Sequence, residues 1–72
     1  MSFKLRLEEA ILYVLVNAGM GLSTVAIADV INELELHIRK DGKPVTDAQV
    51  YACVRRNPST FVKEGGIIHV VM

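Results

Sequence analysis

Near the end of the chain, two β-prone runs over residues 61–64 and 67–71 flank the pair Gly65-Gly66. Two glycines can fill both positive-φ positions of a two-residue primed turn, so this segment reads as a β-hairpin. Pairing across that turn sets Glu64 opposite Ile67, Lys63 opposite Ile68, Val62 opposite His69 and Phe61 opposite Val70. Strand alternation then puts Phe61, Ile68 and Val70 on one face, toward a core, and Val62, Ile67 and Val71 on the other. Upstream, Pro58 cannot continue a helix, so any helix before it must end near Asn57.

Three helical patterns precede the hairpin. The first is expected from about Phe3 to Ala18, with Leu7, Ile11, Val14 and Ala18 repeating at helical spacing beside Leu15, and with Gly19 as a left-handed C-cap. Met20, Gly21 and Leu22 form a tight connection, with a short strand at Leu22. Ser23 or Thr24 caps a second helix that reaches about Glu35. Its apolar stripe is Ile27, Val30, Ile31 and Leu34, while Asp29, Asn32 and Glu33 face water. Residues 36–45 form a loop, with a turn at Asp41-Gly42, and Pro44 delays the next helix. The capping box Thr46-Asp47-Ala48-Gln49 opens a third helix over residues 46–57. The order helix, helix, helix, hairpin is that of an α+β, mainly α, winged helix-turn-helix, here as one domain over residues 1–72.

A chain of 72 residues has a small core, which the 51% hydrophobic content helps to offset. That content also leaves an apolar surplus for a partner surface. The single cysteine, Cys53, allows no intrachain disulfide and fits a reducing cytoplasm. The apolar run over residues 10–16 follows Glu8 and Glu9 and is too short to span a membrane, so neither a signal peptide nor a membrane partner is expected. Formal net charge is zero, which argues against simple nonspecific nucleic-acid binding. The charge is divided, however. Residues 1–36 hold Lys4 and Arg6 against Glu8, Glu9, Asp29, Glu33 and Glu35; residues 37–72 hold Arg39, Lys40, Lys43, Arg55, Arg56 and Lys63 against Asp41, Asp47 and Glu64. Phosphate contacts need local positive charge, and the C-terminal half has it.

At 100° per residue, Val50 and Val54 share the buried face of the third helix, flanked by Tyr51. Gln49, Ala52 and Arg56 fall on the opposite face, with Arg55 and Cys53 beside them. In a helix-turn-helix the outer face of this helix meets base edges in the major groove. Gln49 suits adenine and Arg56 suits guanine, Ala52 permits close approach, and Arg55 is placed for phosphate. Lys63 near the hairpin tip and Lys43 in the basic loop Arg39-Lys40-Lys43 are further phosphate candidates. Each of these residues also fits an ordinary solvated surface. His37, Cys53 and His69 have no zinc spacing, and Cys53 reads as a small semi-buried apolar residue. No carboxylate pair, Ser-His combination or glycine-rich phosphate loop is present, so no enzyme activity, small-molecule substrate, cofactor or metal is expected.

The stretch Gly21-Leu22-Ser23 before Ile27-Ala28, the link Arg39-Lys40-Asp41-Gly42-Lys43-Pro44-Val45-Thr46, the positions Val50 and Val54-Arg55, and Asn57-Pro58, Phe61 and Gly65-Gly66 together carry a family likeness. From Leu22 to Val70 the chain resembles the HARE-HTH family. These are winged helix-turn-helix domains of some restriction endonucleases, of the delta subunit of bacterial RNA polymerase and of eukaryotic chromatin proteins. With the first helix, the resemblance spans nearly the whole chain. It implies DNA binding, or recognition of DNA-associated complexes, in a transcription- or chromatin-associated role.

Two functions therefore stand side by side: a DNA-reading domain, and a protein-interaction module of the same shape without nucleic-acid affinity. A second apolar strip on the first helix (Leu5, Leu12, Val16), with the outer hairpin residues Val62, Ile67 and Val71, forms a candidate interaction surface. It suits a homodimer or a protein partner. The alternative is that the other elements of the same chain cover it.

Overall fold

A computed structural model describes residues 4–71. Three helices, α1 (Leu7–Ala18), α2 (Thr24–Leu34) and α3 (Asp47–Arg56), are combined with three short strands, β1 (Leu22–Ser23), β2 (Phe61–Glu64) and β3 (Ile67–Val70). The strands form one antiparallel sheet in the order β1-β3-β2. The architecture is thus α+β, with β1 inserted between the first two helices and completing the sheet from the far side of the hairpin.

The hairpin has the expected register: Phe61 pairs with Val70, Val62 with His69, Lys63 with Ile68 and Glu64 with Ile67. Gly65 and Gly66 turn the chain at φ 58° and 81°, the left-handed region that a side chain would oppose. On the other side of β3, Leu22 pairs with Ile68 and Ser23 with Ile67. The inner face of the sheet therefore carries Leu22, Phe61, Ile68 and Val70. Their helical counterparts are Ala10, Ile11, Val14 and Leu15 from α1, Ile27, Ala28 and Ile31 from α2, and Val50, Cys53 and Val54 from α3, with Val45 from the loop. No buried side-chain nitrogen or oxygen among the described residues lacks a hydrogen bond.

The first helix begins later than the periodicity suggests. Arg6 is its extended N-cap, and Glu9 Oε1 accepts the Arg6 N–H at 2.9 Å. The preceding residues are held elsewhere. Leu5 N–H donates to the Leu36 carbonyl at 2.9 Å, His37 Nδ1 donates to the Leu5 carbonyl at 2.7 Å, and Lys4 Nζ donates to the Glu35 carbonyl at 3.0 Å. Leu5 therefore packs against the core from a non-helical strap and does not share an α1 strip with Leu12 and Val16. The expected start at Phe3 lies outside the described residues. At the other end of α1 Gly19 caps as expected, with φ 67°, but Ala18 is exposed and Ala10 takes its place in the core.

Two further expectations fail around the end of α2. Leu34, assigned to the apolar stripe, is 56% exposed. The helix stops at Leu34, with Glu35 in the left-handed conformation at φ 53° and Leu36 N–H bonded to the Ile31 carbonyl at 3.0 Å. This is the Schellman ending, which folds the residue after the cap back over the last turn. Leu36 thereby joins the core and Leu34 is left outside it. Asn32, expected in water, is half-buried and clamps the loop. Its Nδ2 donates to the Val45 carbonyl and its Oδ1 accepts the Val45 N–H, both at 2.8 Å. Ser23 is the N-cap of α2, and Thr46 and Gln49 form the capping box of α3.

Gly21 sits where β1 meets β3. A Cβ there would stand 2.5 Å from Ile67 Cγ2 and 2.6 Å from the His69 ring, so the close approach of the two strands depends on its missing side chain.

Removing the Asn32 clamp leaves both backbone groups of the buried Val45 unpaired. Asn32→Ala is expected to cost about 1–3 kcal/mol per unsatisfied group, read as a lower urea midpoint, whereas Glu33→Ala on the exposed face should stay within about 0.5 kcal/mol of wild type. Glu35→Gly should stabilise the fold by about 0.5–1 kcal/mol, because it relieves the left-handed strain at that position against a smaller gain in unfolded-chain entropy. An unchanged or lower midpoint for Glu35→Gly would show that the cap carries no such strain.

Candidate nucleic-acid interface

The burial of α3 defines its outward side. Val50, Cys53 and Val54 lie in the core, and Asp47, Ala48, Tyr51, Arg55 and Arg56 are exposed, with Gln49 and Ala52 half-buried at the margins. Two expectations change here. Cys53, placed beside the outer face, is buried in the core. Tyr51, placed beside the buried face, leaves 38% of its surface in water.

Tyr51 organises the exposed surface. The guanidinium of Arg55, one turn along α3, lies 5.8 Å from the centre of the Tyr51 ring. The ammonium of Lys63 reaches the same ring from β2, at 4.7 Å. Both lie within the range of a cation–π attraction, worth about 0.5–1 kcal/mol at exposed sites. Lys63 shares the strand face of Phe61, which turns it toward α3, while Glu64 alternates to the opposite face. Among the described residues, neither Arg55, Arg56 nor Lys63 has a carboxylate within ion-pair distance; the two ion pairs are Arg6–Glu8 and Arg39–Asp41. The helix and the hairpin thus present one surface with two cations held over an aromatic ring and a third, Arg56, nearby on the helix.

The other site residues expected from the sequence are dispersed. Gln49 Oε1 accepts the Thr46 N–H at 3.1 Å. Its carbonyl oxygen is engaged in the helix cap, so a paired contact to adenine would have to break that bond. Ala52 is half-buried. Lys43 lies in the loop before α3, where its N–H donates to Asp41 Oδ1 at 3.0 Å. It borders a shallow hollow with Asn32, Glu35 and His37, away from the Tyr51 cluster. Tyr51 itself was missed by sequence reasoning. The available signal was the Tyr51/Arg55 spacing of four together with the placement of Lys63 on the Phe61 face.

No group of three or more His, Cys, Asp or Glu residues that could hold a metal occurs among the described residues. His37 is bonded to the strap carbonyl of Leu5, and the His69 ring stands against Gly21. Asn57 Nδ2 donates to the Cys53 carbonyl at 2.8 Å and lies 3.7 Å from its sulfur. No helix among the described residues is long and apolar enough to cross a membrane. No protein-family model matches the chain, and comparison with curated proteins and with solved structures gives no match.

Burial raises the Cys53 thiol above its ordinary pKa of 9.0, and the nearby Glu8 carboxylate adds to the rise; Arg56 and Asn57 oppose it more weakly. The thiol is therefore neutral in the folded protein at physiological pH. Reaction with a disulfide reagent near pH 8 is expected to be at least about tenfold slower than in the urea-unfolded chain, since the thiolate is the reactive form. Because the folded pKa is the higher one, the associated stability is present below the unfolded-state value and is lost as pH climbs through the folded one. Equal labelling rates for folded and unfolded protein would contradict this placement of Cys53.

Proposed function

We propose that the protein is a winged helix-turn-helix DNA-binding domain, with α3 as the major-groove helix and the β2–β3 hairpin as the wing. The reading is supported first by element order, since a winged helix calls for the succession α1, β1, α2, α3, β2 and β3 with β3 central in the sheet. The link between α2 and α3 is longer than the three- or four-residue turn of the simplest helix-turn-helix, but it is pinned to α2 by Asn32. The observation that carries the proposal is the convergence of Arg55 and Lys63 on Tyr51, which joins helix and wing in one basic surface. Cations held in place before binding lose less conformational freedom when they meet phosphate. Arg56, exposed on the flank of α3, is the residue assigned to a guanine edge. A transcription- or chromatin-associated role is what the HARE-HTH likeness implies.

The second reading is a protein-interaction module with the same shape and no nucleic-acid affinity. It is favoured by the net charge of zero and by the apolar surface exposed on α1.

A salt-dependent titration against random and selected duplexes separates the two. For the DNA-binding domain, Arg55→Ala and Lys63→Ala each weaken binding on every sequence and reduce the salt slope by about 1. Arg56→Ala costs about 1–3 kcal/mol on the preferred site and much less on random duplex. Absence of salt-sensitive affinity for any duplex at low ionic strength would leave the interaction module as the function.

A further inference from the structure

On the side of the molecule formed by α1 and the outer sheet face, the surface has a different character. Leu12, Tyr13 and Val16 project from α1 at spacings of three and four, Met20 follows its C-cap, and Val62 and Val71 stand on the outer sheet face. Val16 and Met20 border a groove of about 310 Å³ between the end of α1 and β3, with Gly21, His69 and Val70 on its other side. The groove is open because Gly19 and Gly21 bring no side chains to it. From the groove, His69 leads to the outer sheet face: it pairs with Val62 across the strands and is two residues from Val71.

We infer that this seam is the interface of a symmetric homodimer of the chain. The area supports it. The six apolar residues each leave between 36% and 65% of their surface in water, together on the order of 300–500 Å², since only Tyr13 has the roughly 150–250 Å² of an aromatic side chain. A standard interface removes about 800 Å² from each partner, and in homodimers about 65% of it is apolar. The apolar area offered is of the same order as the area required.

Charge argues against nucleic acid on this face and permits a second copy. Residues 10–28 contain no charged side chain, so α1 from its second turn onward, the following turn and the start of α2 are formally neutral. Duplex DNA needs cations, and this face provides none. In a two-fold interface every residue near the axis faces its own copy, so a patch bearing one sign of charge repels itself and a neutral one does not. Glu64, the nearest outer-face acid on the hairpin, lies at the turn end of β2, beyond Val62. The seam uses no residue of α3, so the dimer does not depend on the DNA-binding proposal.

Sedimentation equilibrium of the intact protein without DNA tests the inference. Wild type is expected at twice the mass of one chain at about 100 µM, dissociating on dilution with a Kd in the micromolar range. Val16→Lys, at a position 58% exposed, should raise that Kd at least about tenfold (about 1.4 kcal/mol) while keeping its helical circular dichroism. Met20→Lys, outside the helix, should do the same and replaces Val16→Lys if that variant unfolds. Arg55→Ala should sediment as wild type. A wild-type monomer throughout this range, or dimers unaffected by both lysine substitutions, would overturn the inference, whether or not the protein binds DNA.

Discussion

The structure is organised around Ile68. It lies in the central strand, pairs with Leu22 on one side and Lys63 on the other, and is fully buried. Its side chain belongs to the same core as Ile11, Ile27, Ile31 and Val50, one or more from each helix. Sheet and helices are therefore not separate layers of independent stability. Register around this residue is strongly constrained, since a slip of one position along β3 would carry His69 to the buried side and expose Ile68.

A second set of interactions fixes what the core leaves free. The long segment between α2 and α3 has few apolar residues, yet it is held at both ends. Leu36 is folded back by the left-handed Glu35 and accepts the strap hydrogen bond from Leu5, and Val45 is bonded twice to Asn32. These polar contacts tether the segment that leads into the Thr46 N-cap of α3. The rotation of α3 places Tyr51 at the border of α3 and β2, where Arg55 and Lys63 both reach it.

The two exposed surfaces differ in physical kind. One is basic and aromatic, shared by α3 and the hairpin; the other is mainly apolar, shared by the uncharged length of α1 and the outer sheet. A net charge of zero averages over them and describes neither. The proposed DNA contact and the proposed dimer therefore draw on different residues, and a single chain can accommodate both. If the dimer forms, two copies of the Arg55–Tyr51–Lys63 cluster are presented at a fixed separation, which compensates for the few cations on each copy.

Much of the architecture was legible in the sequence because it is set by local chemistry. Gly65-Gly66 fixes the hairpin turn and its register, Thr46 and Gln49 begin α3, Gly19 ends α1, and the pairs Ile11 with Val14 and Ile27 with Ile31 recur at helical spacing. These signals act over a few residues, within the reach of one turn or one cap. The errors arose where distant segments compete for the same groups. Leu5 continues the helical pattern of α1, but Leu36 and His37 bind its backbone, and no spacing along the chain encodes that. Asn32 is polar on a polar face, until the loop brings Val45 against it. Gln49 was assigned to a base edge, although its carbonyl oxygen serves the cap that its own position specifies. The sequence by itself determined which segments become helix and strand, because caps, turns and periodicity are local. Only the tertiary structure decided that Tyr51 would gather Arg55 and Lys63, because that depends on the angle at which the hairpin packs beside α3, and packing angle is a property of the assembled core.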